Sequence, residues 1–142
     1  MKTIRTKRIY APPEPSDGTR ILVDRLWPRG VGKQAAALTA WLRGLAPSNE
    51  LRKWFHAHPA LWSRFRSEYM KELRAAEAVS DLNKLYSLVA DNQTVTLVYA
   101  SRDERHNNAA VLRDLINGVR KPPTSSGPMK AAAAPKRARA RR

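Results

Sequence analysis

Two short apolar runs, Ile21-Leu22-Val23 and Thr94–Tyr99, stand far apart in the chain, and the apolar residues between them recur at helical spacing. Each run is continuous rather than alternating, as in a strand buried on both faces. A long helical segment joining two such strands fits a crossover between parallel neighbours. The class expected is therefore α/β, with a small, mainly parallel sheet of about three strands packed by about five helices. Thr3 to Tyr10 is β-prone and weakly alternating, an outer strand. The loop after it, Ala11 to Thr19, is Pro-rich and too short for a helical crossover. The sequence therefore leaves the position of this strand open.

Between the apolar strands, Leu38, Trp41, Leu42 and Leu45 stand at i, i+3, i+4 and i+7, which predicts one amphipathic helix over 33–45. Ser48 is an N-cap for a helix burying Leu51, Trp54 and Phe55. Pro59 is placed to open a third helix, with Leu61, Trp62, Phe65, Tyr69 and Leu73 inward. Val79 to Val89 and Asn107 to Val119 repeat the pattern. Trp41, Trp54, Phe65, Leu85 and Leu112 are expected in the core.

Charge divides the chain. It carries 27 Lys+Arg and 12 Asp+Glu, a net of +15. Eight of the basic residues and no acidic one fall in 120–142, leaving +7 on residues 1–119. The last segment has almost nothing large and apolar with which to repay the entropy of ordering. The expected organisation is one domain over 1–119 and a disordered basic tail over 120–142. Lys130, Lys136, Arg137, Arg139, Arg141 and Arg142 suit sequence-independent phosphate contacts with nucleic acid. No run reaches the length of a membrane span, so no membrane partner is expected. Cysteine is absent, which excludes disulfides, thiolate metal sites and a thiol nucleophile. A reducing cytoplasm is the default location. His56 and His58 lack helical i, i+4 spacing, and neither metal nor cofactor is expected.

Both apolar strands end in charge: Asp24-Arg25-Leu26-Trp27-Pro28-Arg29 after one, and Ser101-Arg102-Asp103-Glu104-Arg105-His106-Asn107 after the other. Ligands of open parallel sheets bind outside the carboxyl ends of the strands. If these strands are neighbours, Arg25, Arg29 and Arg102 can clamp a phosphate or carboxylate. Trp27 stands at the rim, with Ser101 and Asn107 beside it. Asp24 or Asp103 is then a candidate base and His106 a candidate acid/base. The alternatives are structural: Asp24 paired with Arg25 or Arg102, and Asp103 as N-cap of the last helix. The two functional readings are an anionic small molecule at the strand ends, possibly a nucleotide, and a nucleic-acid module acting through its tail.

Four stretches carry a family resemblance: Thr3–Tyr10; Asp17–Gly30, with its Asp24-Arg25-Leu26-Trp27-Pro28-Arg29-Gly30 run; Leu45–Ser48 with Leu51–Phe55; and Leu97–Glu104 with His106-Asn107. Together they resemble the YeaO-like family, small bacterial proteins classed as domain of unknown function family 488. The resemblance covers about residues 2–118 and implies a compact cytoplasmic α/β domain. It brings no reaction with it. In longer relatives the corresponding last strand ends in a Cys- and His-bearing run, where this chain has Ser101 and Asn107.

Overall fold

The structure is a computed structural model that describes residues 2–118. The tail expected over 120–142 lies outside the described residues. Four strands, one more than expected, form a wholly parallel sheet: β1 (Thr3–Arg8), β2 (Thr19–Leu22), β3 (Ala40–Trp41) and β4 (Thr94–Tyr99). Their order is β1-β4-β2-β3, so the two apolar runs are neighbours and β1 is an edge. Thr3–Arg8 pairs residue for residue with Thr94–Tyr99, and Thr19–Leu22 with Val95–Val98.

Alternation along these strands separates two faces. Ile4, Ile21, Val23, Val95, Leu97 and Tyr99 join the main core. Against them pack α2 (Asn49–Ala57), α3 (Trp62–Glu72), α4 (Ala76–Asp91) and α5 (Asn108–Gly118). Ser48 caps α2 as expected, its Oγ accepting the Leu51 N–H at 3.1 Å. Pro59 does not open α3; it lies in a turn, and the helix begins three residues later. Phe65, Leu85 and Leu112 are buried, whereas Trp41 and Trp54 are only half-buried.

The other face of the sheet is covered without a long helix. Ile9, Ala36 and Val98 form a small second core, joined by Trp27, Val31 and Leu38. Residues 9–18 carry the chain from β1 to β2 with only one 3-10 turn, Pro15–Asp17. Gly18 follows it at φ +64°, where a Cβ would stand 2.4 Å from the Thr94 carbonyl oxygen. Only glycine fits there. On this face lies a buried ion pair: Asp17 accepts from Arg20 Nη1 at 2.8 Å and from Lys7 Nζ at 3.1 Å. Arg20 also gives Nε and Nη2 to the Ala36 carbonyl, at 3.1 and 2.9 Å.

The helix expected over 33–45 is not formed. A single turn, α1 (Lys33–Ala36), ends at Ala37 in the left-handed region with φ 50°. The chain then extends into β3, and Arg43–Leu45 is a 3-10 turn. Backbone pairing with β2 decides the conformation: Thr39 N–H reaches the Arg20 carbonyl at 2.8 Å, and Leu42 N–H the Leu22 carbonyl at 2.9 Å. Leu42 and Leu45 are still buried, so the apolar spacing was met by a different backbone.

Candidate functional site

The carboxyl ends of β2 and β4 are sewn together by side chains. Val23 N–H bonds the Val98 carbonyl at 3.1 Å, extending the pairing one residue past β2. Asp24 then turns its carboxylate inward. Oδ2 accepts the Ala100 N–H at 2.8 Å, and Oδ1 accepts from the Asn108 amide at 3.1 Å. The same Asn108 nitrogen bonds the Val23 carbonyl at 2.9 Å. Burial pushes the Asp24 carboxyl above its ordinary value, against the pull of Ala100, Asn108 and the nearby Arg52 charge. Among the described residues Asp24 makes no salt bridge with Arg25 or Arg102; backbone and amide donors hold it instead.

The loop from Ser101 to Asn107 folds on itself. Asp103 N–H bonds Ser101 Oγ at 3.2 Å, and Asp103 Oδ1 accepts the N–H groups of Arg105 and His106 at 2.9 Å each. The His106 N–H lowers the Asp103 carboxyl most; burial opposes it, and the Arg105 N–H with the His106 and Arg105 charges leaves the carboxyl lowered. Asn107 is the N-cap of α5: its Oδ1 accepts the Ala110 N–H at 2.8 Å while its amide bonds the Asp103 carbonyl. Asp103 thus closes the turn before the helix rather than capping it. His106 is exposed, 3.6 Å from Asp103 Oδ2, with its ring 4.8 Å from that of Trp62.

Of the expected clamp residues, Arg25 lines a cleft whose lining includes neither Arg29 nor Arg102. Arg102 is exposed and has no side-chain hydrogen bond or ion pair among the described residues. Arg29 is exposed and engaged through its backbone, its carbonyl accepting the Tyr10 hydroxyl at 3.0 Å. Trp27 is tied down, its Nε1 donating to the Val31 carbonyl at 2.6 Å and its ring edge-on to Trp41 at 5.4 Å. Arg25 points toward the end of β3. Among the described residues its side chain makes one hydrogen bond, a long one, Nη2 to the Ala46 carbonyl at 3.4 Å. Its Nε is sealed from solvent and has no acceptor among the described residues.

Arg25 lines a cleft of about 510 Å³ with Trp41, Arg43, Gly44, Glu77, Ser80 and Asp81. Trp41 is fixed by its Nε1 bond to the Asp24 carbonyl at 2.7 Å, and the Arg43 guanidinium lies 4.8 Å over its ring. Asp81 accepts the Gly44 N–H at 2.7 Å and stands 3.6 Å from Lys84. A second hollow of about 340 Å³ lies at the ends of β1 and β4, lined by residues including Lys7, Arg8, Tyr10 and Glu104. There Arg8 is already engaged, by the Ser101 and Ala100 carbonyls and the Tyr10 ring. Trp41, Arg43 and Ser80 were not singled out as site residues in the sequence. Trp41 stood at a core position, and the other two enter from segments without motif spacing. Among the described residues no three His, Asp or Glu side chains gather to hold a metal ion, and no helix is long and apolar enough to cross a membrane.

The family model described as "Inactive DUF488-N3 subclade" matches residues 3–129. The chain belongs to that subclade. The match runs past residue 118, where the resemblance read from the sequence ends, so part of the basic segment falls inside it. The chain is 42% identical over 116 residues to the uncharacterized protein YeaO of Escherichia coli, covering 82% of this chain and 98% of that one. It is 40% identical over 115 residues to the uncharacterized protein Rv3073c of Mycobacterium tuberculosis, covering 81% and 94%. No solved structure matches significantly.

Proposed function

We propose that this domain binds an anionic small molecule, phosphate- or carboxylate-bearing, at the carboxyl ends of β2 and β3 without transforming it. The observation that carries the reading is the Arg25 guanidinium, which lines the cleft and makes one hydrogen bond among the described residues, a long one to the Ala46 carbonyl at 3.4 Å. Its terminal nitrogens are left free to meet an anion in the cleft, in charge-assisted hydrogen bonds shorter and stronger than that one. Arg43, its guanidinium lying over the Trp41 ring, adds a second cation and an exposed flat group on which a planar ligand can stack. Glu77 and Ser80 on the same cleft suit hydroxyl or amino groups of the ligand. The combination fits a nucleoside monophosphate or a sugar phosphate better than bare phosphate. Binding without turnover agrees with the name of the subclade and with the state of the candidate acids. Asp24 is enclosed and doubly hydrogen-bonded, and Asp103 holds a turn.

The test is calorimetric titration of the full chain with inorganic phosphate and with a nucleoside monophosphate. Saturable binding that is lost in Arg25→Ala and kept in Arg29→Ala supports the reading. Equal binding by wild type and Arg25→Ala overturns it.

A further inference from the structure

Away from that cleft, two exposed histidine rings each lie on a half-buried tryptophan. His58 stacks on Trp54 with centroids 5.1 Å apart and planes at 24°. Its Nδ1 faces the Trp54 carbonyl at 2.9 Å, which fixes the ring. His106 lies 4.8 Å from Trp62. Phe55 connects the two stacks, 5.7 Å from Trp62 and next in sequence to Trp54. Cationic side chains border them, beside one carboxylate, Asp103, 3.6 Å from the His106 ring nitrogen. The Arg64 guanidinium sits 5.6 Å over the Trp54 ring. Lys53, Arg66 and Arg102 are exposed and have no ion-pair partner among the described residues. Of the acids on α3, Glu68 is met by Lys71, and Glu72 is taken by Ser48.

We infer that this face binds single-stranded nucleic acid, with unpaired bases stacking on the outer faces of His58 and His106 and phosphates meeting Arg64, Lys53 and Arg102. Single strands are held by this combination of exposed aromatic rings and a positive track. The observation that favours a single strand over a duplex is the rings: paired bases are stacked on one another and offer no free face. An anionic protein surface would use the cations but not the stacked imidazoles. This contact is distinct from any made by the basic segment after residue 119, which would serve single strand and duplex alike.

The experiment measures binding of the full chain to a labelled oligothymidylate of about 15 nucleotides and to a duplex of equal length, at one salt concentration. The wild type should prefer the single strand. The variant His58→Ala/His106→Ala removes two exposed rings and leaves the core intact. It should lose about tenfold or more in single-strand affinity with duplex affinity unchanged. His58→Phe/His106→Phe should restore the single-strand affinity, since it keeps the rings and drops their polarity. No preference for single strand in the wild type, or unchanged affinity in the alanine variant, overturns the inference. None of these variants touches Arg25, so the outcome is independent of the cleft.

Discussion

The Asn108 side-chain amide bonds both the Val23 carbonyl and the Asp24 carboxylate, at 2.9 and 3.1 Å. One residue at the start of α5 thereby locks the end of β2 to the helix that follows β4. Asn108→Ala leaves buried acceptors unmet, and it should lower stability by roughly 1–3 kcal/mol. Urea unfolding of the variant measures this.

Asp24 titrates against the trend of its neighbours. Its native carboxyl is raised above the unfolded value of 3.8, chiefly by burial. The stability it contributes is fully present below about pH 3.8 and lost as pH rises through the raised value. Asp103 is lowered by the N–H groups it accepts, so its contribution is present above 3.8 and lost as pH falls through its native value. For Asp17, burial raises the carboxyl, but hydrogen bonds from Glu14 N–H, Lys7 and Arg20 outweigh it and leave it lowered, with the same sign as Asp103. Asp24→Asn should remove the loss between acid and neutral pH and keep the collapse in acid. Unfolding free energies from about pH 3 to about pH 8 decide this.

The Asp17–Arg20 pair on the far face is almost wholly out of water, with side chains 0% and 4% exposed. Asp17→Ala strands a buried guanidinium and should cost about 3–5 kcal/mol. Equilibrium denaturation measures it, and a loss below about 1 kcal/mol would match a solvated surface pair instead.

The α2–α3 aromatic row should show a gradient with burial. Phe65, 3% exposed, is a full core residue, and Phe65→Ala should cost about 3–5 kcal/mol. Trp54 is half-buried under His58 and Arg64, so Trp54→Ala should cost less than Phe65→Ala. Melting both variants beside the wild type tests the order.

Sequence reading located β4 at Thr94–Tyr99 and its pairing with the Ile21 run, because a strand buried on both faces has a continuous apolar signature. It missed β3, since two residues are too few to show alternation and their conformation is imposed by β2 through the Thr39 and Leu42 N–H bonds. The apolar spacing of Leu38, Trp41, Leu42 and Leu45 suits a helix, but Ala37 leaves the helical region first. At the site, Asp24 and the loop before α5 were visible because both follow apolar strands. The direction of the Arg25 side chain was not, because its cleft is completed by Arg43, Glu77 and Ser80 from segments that meet only in the folded chain.

The most direct test of the anion cleft is the melting temperature of wild type and Arg25→Ala, each with and without a nucleoside monophosphate. Without ligand, Arg25→Ala should melt at or near the wild-type temperature, since the side chain it removes has a buried nitrogen without an acceptor. Ligand at about a hundred times its Kd should stabilise the wild type by about 2.7 kcal/mol and leave the variant where it was. A variant that is stabilised as much as the wild type, or a wild type that no anionic ligand stabilises, would contradict the account.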